Sequence, residues 1–214
     1  MTKHYKVSIG IPAYKAQKTI EECLSSINVQ TYRDDIEVVI ANDNPGVDDY
    51  SYLSNIFKKL NIVYASTDKN GGPGVARNKA IEVATGDYIM FMDADDILYT
   101  PYAVEQLYKG VTVQPNIVQS QGIFVQECTY NGEHKLAPQT NPNHPWSFGR
   151  LTNLKFLKEA GIDFGLLPNM EDGRFQWCIN LLIEGTQFKR NFIKDIVYVW
   201  KEGSDTLLQE AVLI

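Results

Sequence analysis

The stretch Gly86-Asp87-Tyr88-Ile89-Met90-Phe91-Met92-Asp93-Ala94-Asp95-Asp96 decides how this chain is read. Five apolar or aromatic residues in succession, Tyr88 to Met92, describe a strand covered on both faces, because a parallel strand between two helical layers needs no polar alternation. The strand runs into three carboxylates within four positions. Such groups repel one another and lose hydration at a sheet edge, so a positive partner is expected there, and a divalent cation is the simplest one. Taken alone, the triplet reads more simply as a solvated turn with one Asp capping the next helix. An EF-hand loop is excluded, since Ile97 and Leu98 stand where that loop needs an oxygen ligand and a glycine. The rest of the chain has to choose between turn and metal site.

Outward from this stretch the chain alternates strand and helix. Tyr5 to Ile11 is a first strand stopped by Pro12, and Ala16 to Val29 a helix with Ile20, Leu24 and Ile27 at helical spacing. Ile36 to Ala41 is a second strand, closed by the turn-forming Asn42-Asp43-Asn44-Pro45-Gly46. A helix from Asp48 or Asp49, with Tyr52, Ile56 and Leu60 on one face, leads to a third strand, Ile62 to Ala65. Gly71-Gly72-Pro73-Gly74 opens a helix from Pro73 to Ala84. This order implies parallel strands with right-handed crossovers. After the acids, Thr100-Pro101 starts a helix that runs to Lys109 and stops at Gly110. Ile117 to Thr129 and the Asn131-Gly132 turn predict an antiparallel pair. Ala137 to His144 reads as a loop, and Phe156 and Leu157 lie in a short helix ending at Gly161. A longer helix after Met170 carries Phe175, Ile179 and Leu182, followed by edge strands Gln187 to Asn191 and Ile196 to Trp200. The expected fold class is α/β, a Rossmann-like mainly parallel sheet with helices on both faces and a small antiparallel addition. One domain, 1–214, is expected, with 1–115 and 116–214 as its halves.

Composition narrows the function classes. Twenty basic against 26 acidic residues in 214 give a net charge of -6, which argues against strong sequence-independent nucleic-acid binding. Cys23, Cys128 and Cys178 are odd in number and far apart, so they indicate neither a disulfide framework nor a zinc site, and free thiols in a reducing cytoplasm are expected. The apolar run Val7 to Pro12 is too short for a signal-peptide core, and no run approaches the roughly 20 residues of a bilayer span. Docking to a membrane surface stays compatible with this. The two familiar glycine-rich nucleotide motifs fail on spacing. A dinucleotide fingerprint should follow the first strand, where Ile11-Pro12-Ala13-Tyr14-Lys15 has no glycine, and the third glycine slot after Gly72 and Gly74 holds Arg77. A Walker loop lacks its Gly-Lys-Ser/Thr ending.

The pieces Ile9-Gly10-Ile11-Pro12-Ala13-Tyr14, Val39-Ile40-Ala41-Asn42-Asp43, Ala76-Arg77-Asn78-Lys79-Ala80, the opening stretch with its DXD motif, Gly149-Arg150-Leu151, Gly161-Ile162-Asp163-Phe164, Glu171-Asp172 and Glu202-Gly203-Ser204 follow one another in an order and spacing that resemble the inverting family-two glycosyltransferases. The resemblance covers Val7 to about Thr206. It implies the GT-A fold, a nucleotide-diphosphate sugar donor, most readily UDP-linked, and Mn2+ or Mg2+ as cofactor. By resemblance, Pro12 and Tyr14 border the nucleotide base and Asp43 accepts from the base's ring N–H. Arg77 meets the diphosphate, Asp93 approaches ribose or metal, and Asp95 ligates the metal. Asp172 is implied as the base that takes the acceptor's proton, with Glu171 in support. For each residue a plainer role exists: loop packing for Tyr14, an Asx-turn for Asp43, a solvated helix face for Arg77, and favourable placement at a helix start for Glu171 and Asp172.

The chain departs from the family pattern at Lys15, at Ala80 and, most consequentially, at Lys201, which stands where many relatives place a metal-binding His. An ammonium cannot ligate a cation, although it can neutralise a diphosphate. Two other classes therefore stay open: a catalytically idle nucleotide-sugar or metal-binding module, and a nucleotidyltransferase. The second would carry a glycine- and arginine-rich loop after the first strand, which Pro12-Ala13-Tyr14-Lys15 does not supply. The acceptor hydroxyl, on a glycan, lipid-linked sugar, protein or modified nucleobase, is expected to meet Gln126 to Phe148, with Asn143-His144-Pro145-Trp146 as part of that surface.

Overall fold

Four parallel strands carry the first part of the chain. The structure, a computed structural model, describes residues 3–130, 133–165 and 170–201. Strands β1 (Val7–Ala13), β2 (Ile36–Asn42), β3 (Asn61–Ser66) and β4 (Tyr88–Phe91) lie in the order β3-β2-β1-β4, all parallel. Helices α1 (Ile20–Asn28), α2 (Leu53–Ile56) and α3 (Pro73–Val83) connect them. Alternate residues of β4 serve opposite faces. Met90 joins the core of Ile9, Ile11 and Leu24, whereas Ile89 and Phe91 join Ala80, Phe164 and Phe175 on the other side. The uninterrupted apolar run is thus explained by two covered faces.

Later elements extend the same sheet. They are β5 (Ile97–Leu98), α4 (Ala103–Thr112), β6 (Ile117–Tyr130), β7 (Glu133–Gln139), β8 (Arg150–Asn153), α5 (Leu154–Ala160), α6 (Glu171–Ile183) and β9 (Lys189–Trp200). β8 runs antiparallel between β4 and β6, β9 pairs parallel with β6 and antiparallel with β5, and β7 pairs antiparallel with β6. The antiparallel addition therefore exceeds one hairpin. Tyr130 faces Glu133 across the expected hairpin, whose turn residues 131–132 lie outside the described residues.

Five local expectations are corrected. The helix expected from Asp48 is only Leu53–Ile56, and Ile56 is exposed while Tyr50, Leu53, Phe57 and Leu60 point inward. Asp49 accepts from the Ser51 N–H at 2.8 Å and the Tyr50 hydroxyl accepts from the Ala16 N–H at 3.0 Å, contacts that hold the segment in turns. Helix α4 begins at Ala103, because Gln30 Nε2 and the Thr31 N–H donate to the carbonyls of Thr100 and Pro101 and tie both to the end of α1. It also continues through Gly110, where a Cβ would lie 2.8 Å from Ile193 Cγ2, so this glycine permits close packing and does not stop the helix. Residues 137–139, expected in a loop, pair with β6. The two expected edge strands are one interior strand, β9, whose pairing with β6 is interrupted by bulges.

All three cysteines are free, with Cys23 buried and the others partly exposed. No helix among the described residues is long and apolar enough to cross a membrane.

Candidate active site

The C-terminal ends of β1, β2 and β4 come together at one edge of the sheet, where open α/β folds collect ligand-binding loops. Asp43 follows β2 and is buried. Its carboxylate accepts from Thr67 Oγ1 at 2.9 Å and from the Gly71 and Gly72 N–H groups at 3.0 and 2.7 Å. Gly72 has φ +85° and ψ 172°, a conformation open only to glycine, and it delivers the chain to Pro73 at the start of α3. Asp43 thereby fixes where α3 begins. Pro12 is partly buried within β1, and Tyr14 just beyond it is 47% exposed with the Lys15 ammonium 4.9 Å from its ring centroid.

One turn into α3, Arg77 is buried and bound on three sides by acids. Nη2 lies 2.7 Å from Asp93 Oδ1, and Nη1 lies 3.0 Å from Glu171 Oε1 and 3.5 Å from Asp172 Oδ1. The solvated helix face considered for Arg77 is therefore ruled out, and in this structure its donors face protein carboxylates. Burial works against the Arg77 cation, but Asp172 and Asp93 outweigh it and raise its pKa. Glu171 and Asp172 form the first turn of α6, as their sequence position implied. Ser147 donates a short hydrogen bond to Asp172 Oδ1. Burial raises the Asp172 pKa, with Arg77 and Ser147 pulling it back down. Both Ser147 and Arg77 engage Oδ1, which leaves Oδ2 without a partner among the described residues.

The acidic turn is fastened from β9. The Tyr198 hydroxyl donates to Asp96 Oδ2 at 2.7 Å and accepts from the Asp93 N–H at 3.1 Å, and the Lys201 N–H donates to Asp96 Oδ1 at 2.8 Å. Asp96 is thus a structural anchor, its pKa raised by burial and by Asp93. Asp95 takes no part in this anchoring. Burial and Asp93 raise its pKa, and Lys201 is the cation that partly offsets them. The Lys201 ammonium pairs with Glu22 at 2.7 Å. Residues 202–204 lie outside the described residues.

No three His, Cys, Asp or Glu side chains converge as a metal cage among the described residues. Asp93 and Asp95 offer two hard oxygen ligands, which suits an ion that keeps water and takes its remaining ligands from a diphosphate. The desolvated, weakly compensated carboxylate of Asp95 fits that role. Of the segment 143–146, His144 is buried, and Trp146 packs on Phe148 and Trp200 at 5.8 and 5.5 Å, so Asn143 and Pro145 are its exposed members. A cleft of about 520 Å³ elsewhere is lined by Thr85, Asp87, Tyr108, Lys155 and Lys158, and none of the expected site residues borders it.

Ser147 and Tyr198 carry no local motif, and only the sheet brings them to the acids. Family comparison agrees with this architecture: the model for glycosyl transferase family 2 matches residues 8–168. The chain belongs to glycosyl transferase family 2. Among relatives of this family-two chain, the poly(ribitol-phosphate) beta-glucosyltransferase of Bacillus spizizenii is 38% identical over 96 residues, 44% of this chain and 15% of that relative. The Escherichia coli UDP-Glc:alpha-D-GlcNAc-diphosphoundecaprenol beta-1,3-glucosyltransferase WfaP is 25% identical over 199 residues, 92% of this chain and 78% of the relative. In fold, the chain is similar to Staphylococcus aureus TarS 1-349 in complex with UDP-GlcNAc, with TM-score 0.78, 21% identity, and 95% of this chain and 60% of that one covered. The expected GT-A fold holds.

Proposed function

We propose that this chain carries the donor and catalytic site of a glycosyltransferase that moves a sugar from a UDP-sugar to an acceptor hydroxyl with inversion. One observation carries the reading. Arg77 joins Asp93, at the acidic end of β4, to Glu171 and Asp172, which arrive from the second half of the chain. Arg77 thus links, through its two terminal nitrogens, the acid proposed to face the donor and the acid proposed as the base, which supports one shared site for transfer across a sugar's anomeric carbon. The family-two match supports an enzyme over an idle binding module.

Tyr14 and Pro12 border the nucleotide base. Three donors occupy Asp43, and the lone-pair capacity left to a carboxylate accepts the uracil ring N–H. Asp93 and Asp95 would hold Mn2+ or Mg2+, which when bound neutralises the diphosphate as it leaves. Lys201 adds a positive charge on the same side. Asp172 Oδ2 receives the acceptor's proton, while Ser147 and Arg77 keep Oδ1 oriented and the group ionised. Glu171 completes the Arg77 pairing and fixes its plane. Residues 116–214 are the acceptor-binding half in this reading. A lipid-linked sugar is the proposed acceptor class, supported by the diphosphoundecaprenol acceptor in the name of the relative WfaP.

Calorimetric titration of UDP with and without Mn2+ tests the donor reading. Asp95→Asn should lose the Mn2+-dependent part of the affinity, and unchanged binding would reject the assignment.

A further inference from the structure

Beneath α6 lies a second polar cluster that the transfer reading leaves unused. Arg150 on β8 and Arg190 on β9 converge on one neutral atom, Gln176 Oε1, at 2.5 Å from Arg150 Nη1 and 3.4 Å from Arg190 Nη2. Their other partners are neutral as well. Arg150 donates to Gln119 Oε1 at 3.3 Å and to the His144 carbonyl at 2.6 Å, and Arg190 donates to Asn180 Oδ1 at 2.8 Å. The chain's other arginines, Arg33, Arg77 and Arg174, each pair with a carboxylate. Arg150 and Arg190 have none within ion-pair distance among the described residues, although Arg150 is 1% exposed. Two guanidinium groups placed together with no ion-paired anion are costly: burial and then Arg190 push the Arg150 pKa down to about 8, offset only in part by Asp172, and burial lowers the Arg190 pKa as well.

The cluster also holds buried polar atoms without partners among the described residues: Arg150 Nε, Arg190 Nε, Gln176 Nε2 and His144 Nε2, together with both amide atoms of Gln121, the residue paired with Arg150 across β6 and β8. His144 is neutral, because burial and the neighbouring Arg150 and Arg190 push its pKa down to about 3. Arg150 Nη2 lies 3.4 Å from His144 Nδ1, which must then be the acceptor, so the ring proton sits on Nε2. Nearly all these atoms are donors. A water molecule could satisfy some of them but brings no charge. An oxyanion supplies several acceptor oxygens and the missing negative charge together. Arg190 and Asn180 are partly exposed, so the cluster reaches the surface between α6 and β9.

We propose that Arg150, Arg190, Gln176 and Gln121 form a binding site for a phosphoryl-class oxyanion, either free phosphate or a phosphate ester. Gln176 lies one helical turn, about 6 Å along the axis, from Asp172. A phosphate ester seated there would hold the rest of its molecule near the proposed base, and this ester arm rests on the transfer reading, whereas phosphate binding does not.

The test is thermal unfolding of the wild type with inorganic phosphate and, separately, glycerol 3-phosphate, each exchanged against potassium gluconate at constant ionic strength. The wild type should show a saturable rise in melting temperature, as a ligand of the folded state gives. Arg190→Met should weaken the apparent affinity by about tenfold or more, and the surface control Lys155→Met should leave it unchanged. If Arg190→Met does not fold, Arg190→Lys decides, since a point charge without the planar fork should still weaken binding. A response to both probes supports an ester site, and a response to phosphate alone supports a free-phosphate site. No saturable rise in the wild type, or one that survives in the foldable Arg190 variant, overturns the proposal. Either result leaves Mn2+-dependent UDP binding, which tests the transfer reading, untouched.

Discussion

Replacing Arg77 with Met would remove the one cation shared by Asp93, Glu171 and Asp172 while keeping much of the side chain's length and apolar stem. Its guanidinium is 4% exposed and lies 2.7, 3.0 and 3.5 Å from the three acids. Removing one partner of a buried pair costs about 3 to 5 kcal/mol, because the remaining charge is stranded. With a urea m-value of about 2 to 3 kcal/mol per molar, the midpoint should fall by roughly 1 to 2 M. The loss should depend on pH in a defined direction. Burial already raises the Asp172 pKa and Arg77 lowers it, so the substitution lifts it further. A carboxyl group with a raised folded pKa contributes its stability below the unfolded value, near 4, and loses it as pH rises through the folded value. The difference between wild type and variant should therefore be smallest near pH 5 and grow toward pH 8. Arg77→Lys should recover part of it, since an ammonium cannot span three carboxylates. Urea titrations across that range are the assay. A difference below about 1 kcal/mol, or one constant with pH, would refute the central position given to Arg77.

Three further outcomes are expected. Gly72→Ala places a side chain at φ +85°, which should cost about 1 to 3 kcal/mol and loosen the N–H groups bound by Asp43, so donor KM should rise more than kcat falls; equal kinetics would show that the 71–72 turn does not shape the donor pocket. In chelator, Asp95→Asn should be more stable than the wild type at pH 8 by on the order of 1 kcal/mol, with the gap closing toward pH 4, because the raised Asp95 pKa marks a carboxylate whose charge disfavours folding; a less stable variant would contradict this. Ser147→Ala removes a hydrogen bond that lowers the Asp172 pKa, so the acidic limb of the kcat profile should move to higher pH, and an unmoved limb would separate Ser147 from the base.

What could be read in advance was local. The Tyr88 to Met92 run, Pro73 at the first position of α3 and Gly161 after α5 each act within a few residues, and each appears where their chemistry places it. Misreadings arose where distant partners compete with a local signal. Tyr50 bonds to Ala16 and shortens α2, the end of α1 binds the 100–101 carbonyls and delays α4, and contact with Ile193 and Ser120 carries α4 through Gly110. The site divides the same way. The acidic turn and the pair Glu171-Asp172 are visible as clusters. That Arg77 joins Asp93 to a pair 94 residues further along is a property of the folded sheet and has no signature in local spacing. Ser147 and Tyr198 have no signature for the same reason, being ordinary polar or aromatic residues until the segment before β8, and β9, place them against the acids. In the sequence Arg150 stands out only within the Gly149-Arg150-Leu151 resemblance, and its lack of a carboxylate partner among the described residues is a property of packing.

The most direct measurement is release of UDP from a panel of UDP-sugars in Mn2+, compared between the wild type and Asp172→Asn with donor binding monitored in parallel. The account predicts measurable release by the wild type, a loss of about 100-fold or more in the variant, and donor affinity nearly unchanged, as removal of a general base alone requires. Equal release by both proteins would contradict the assignment of Asp172, and tight UDP-sugar binding with no release by the wild type would contradict the enzymatic reading itself.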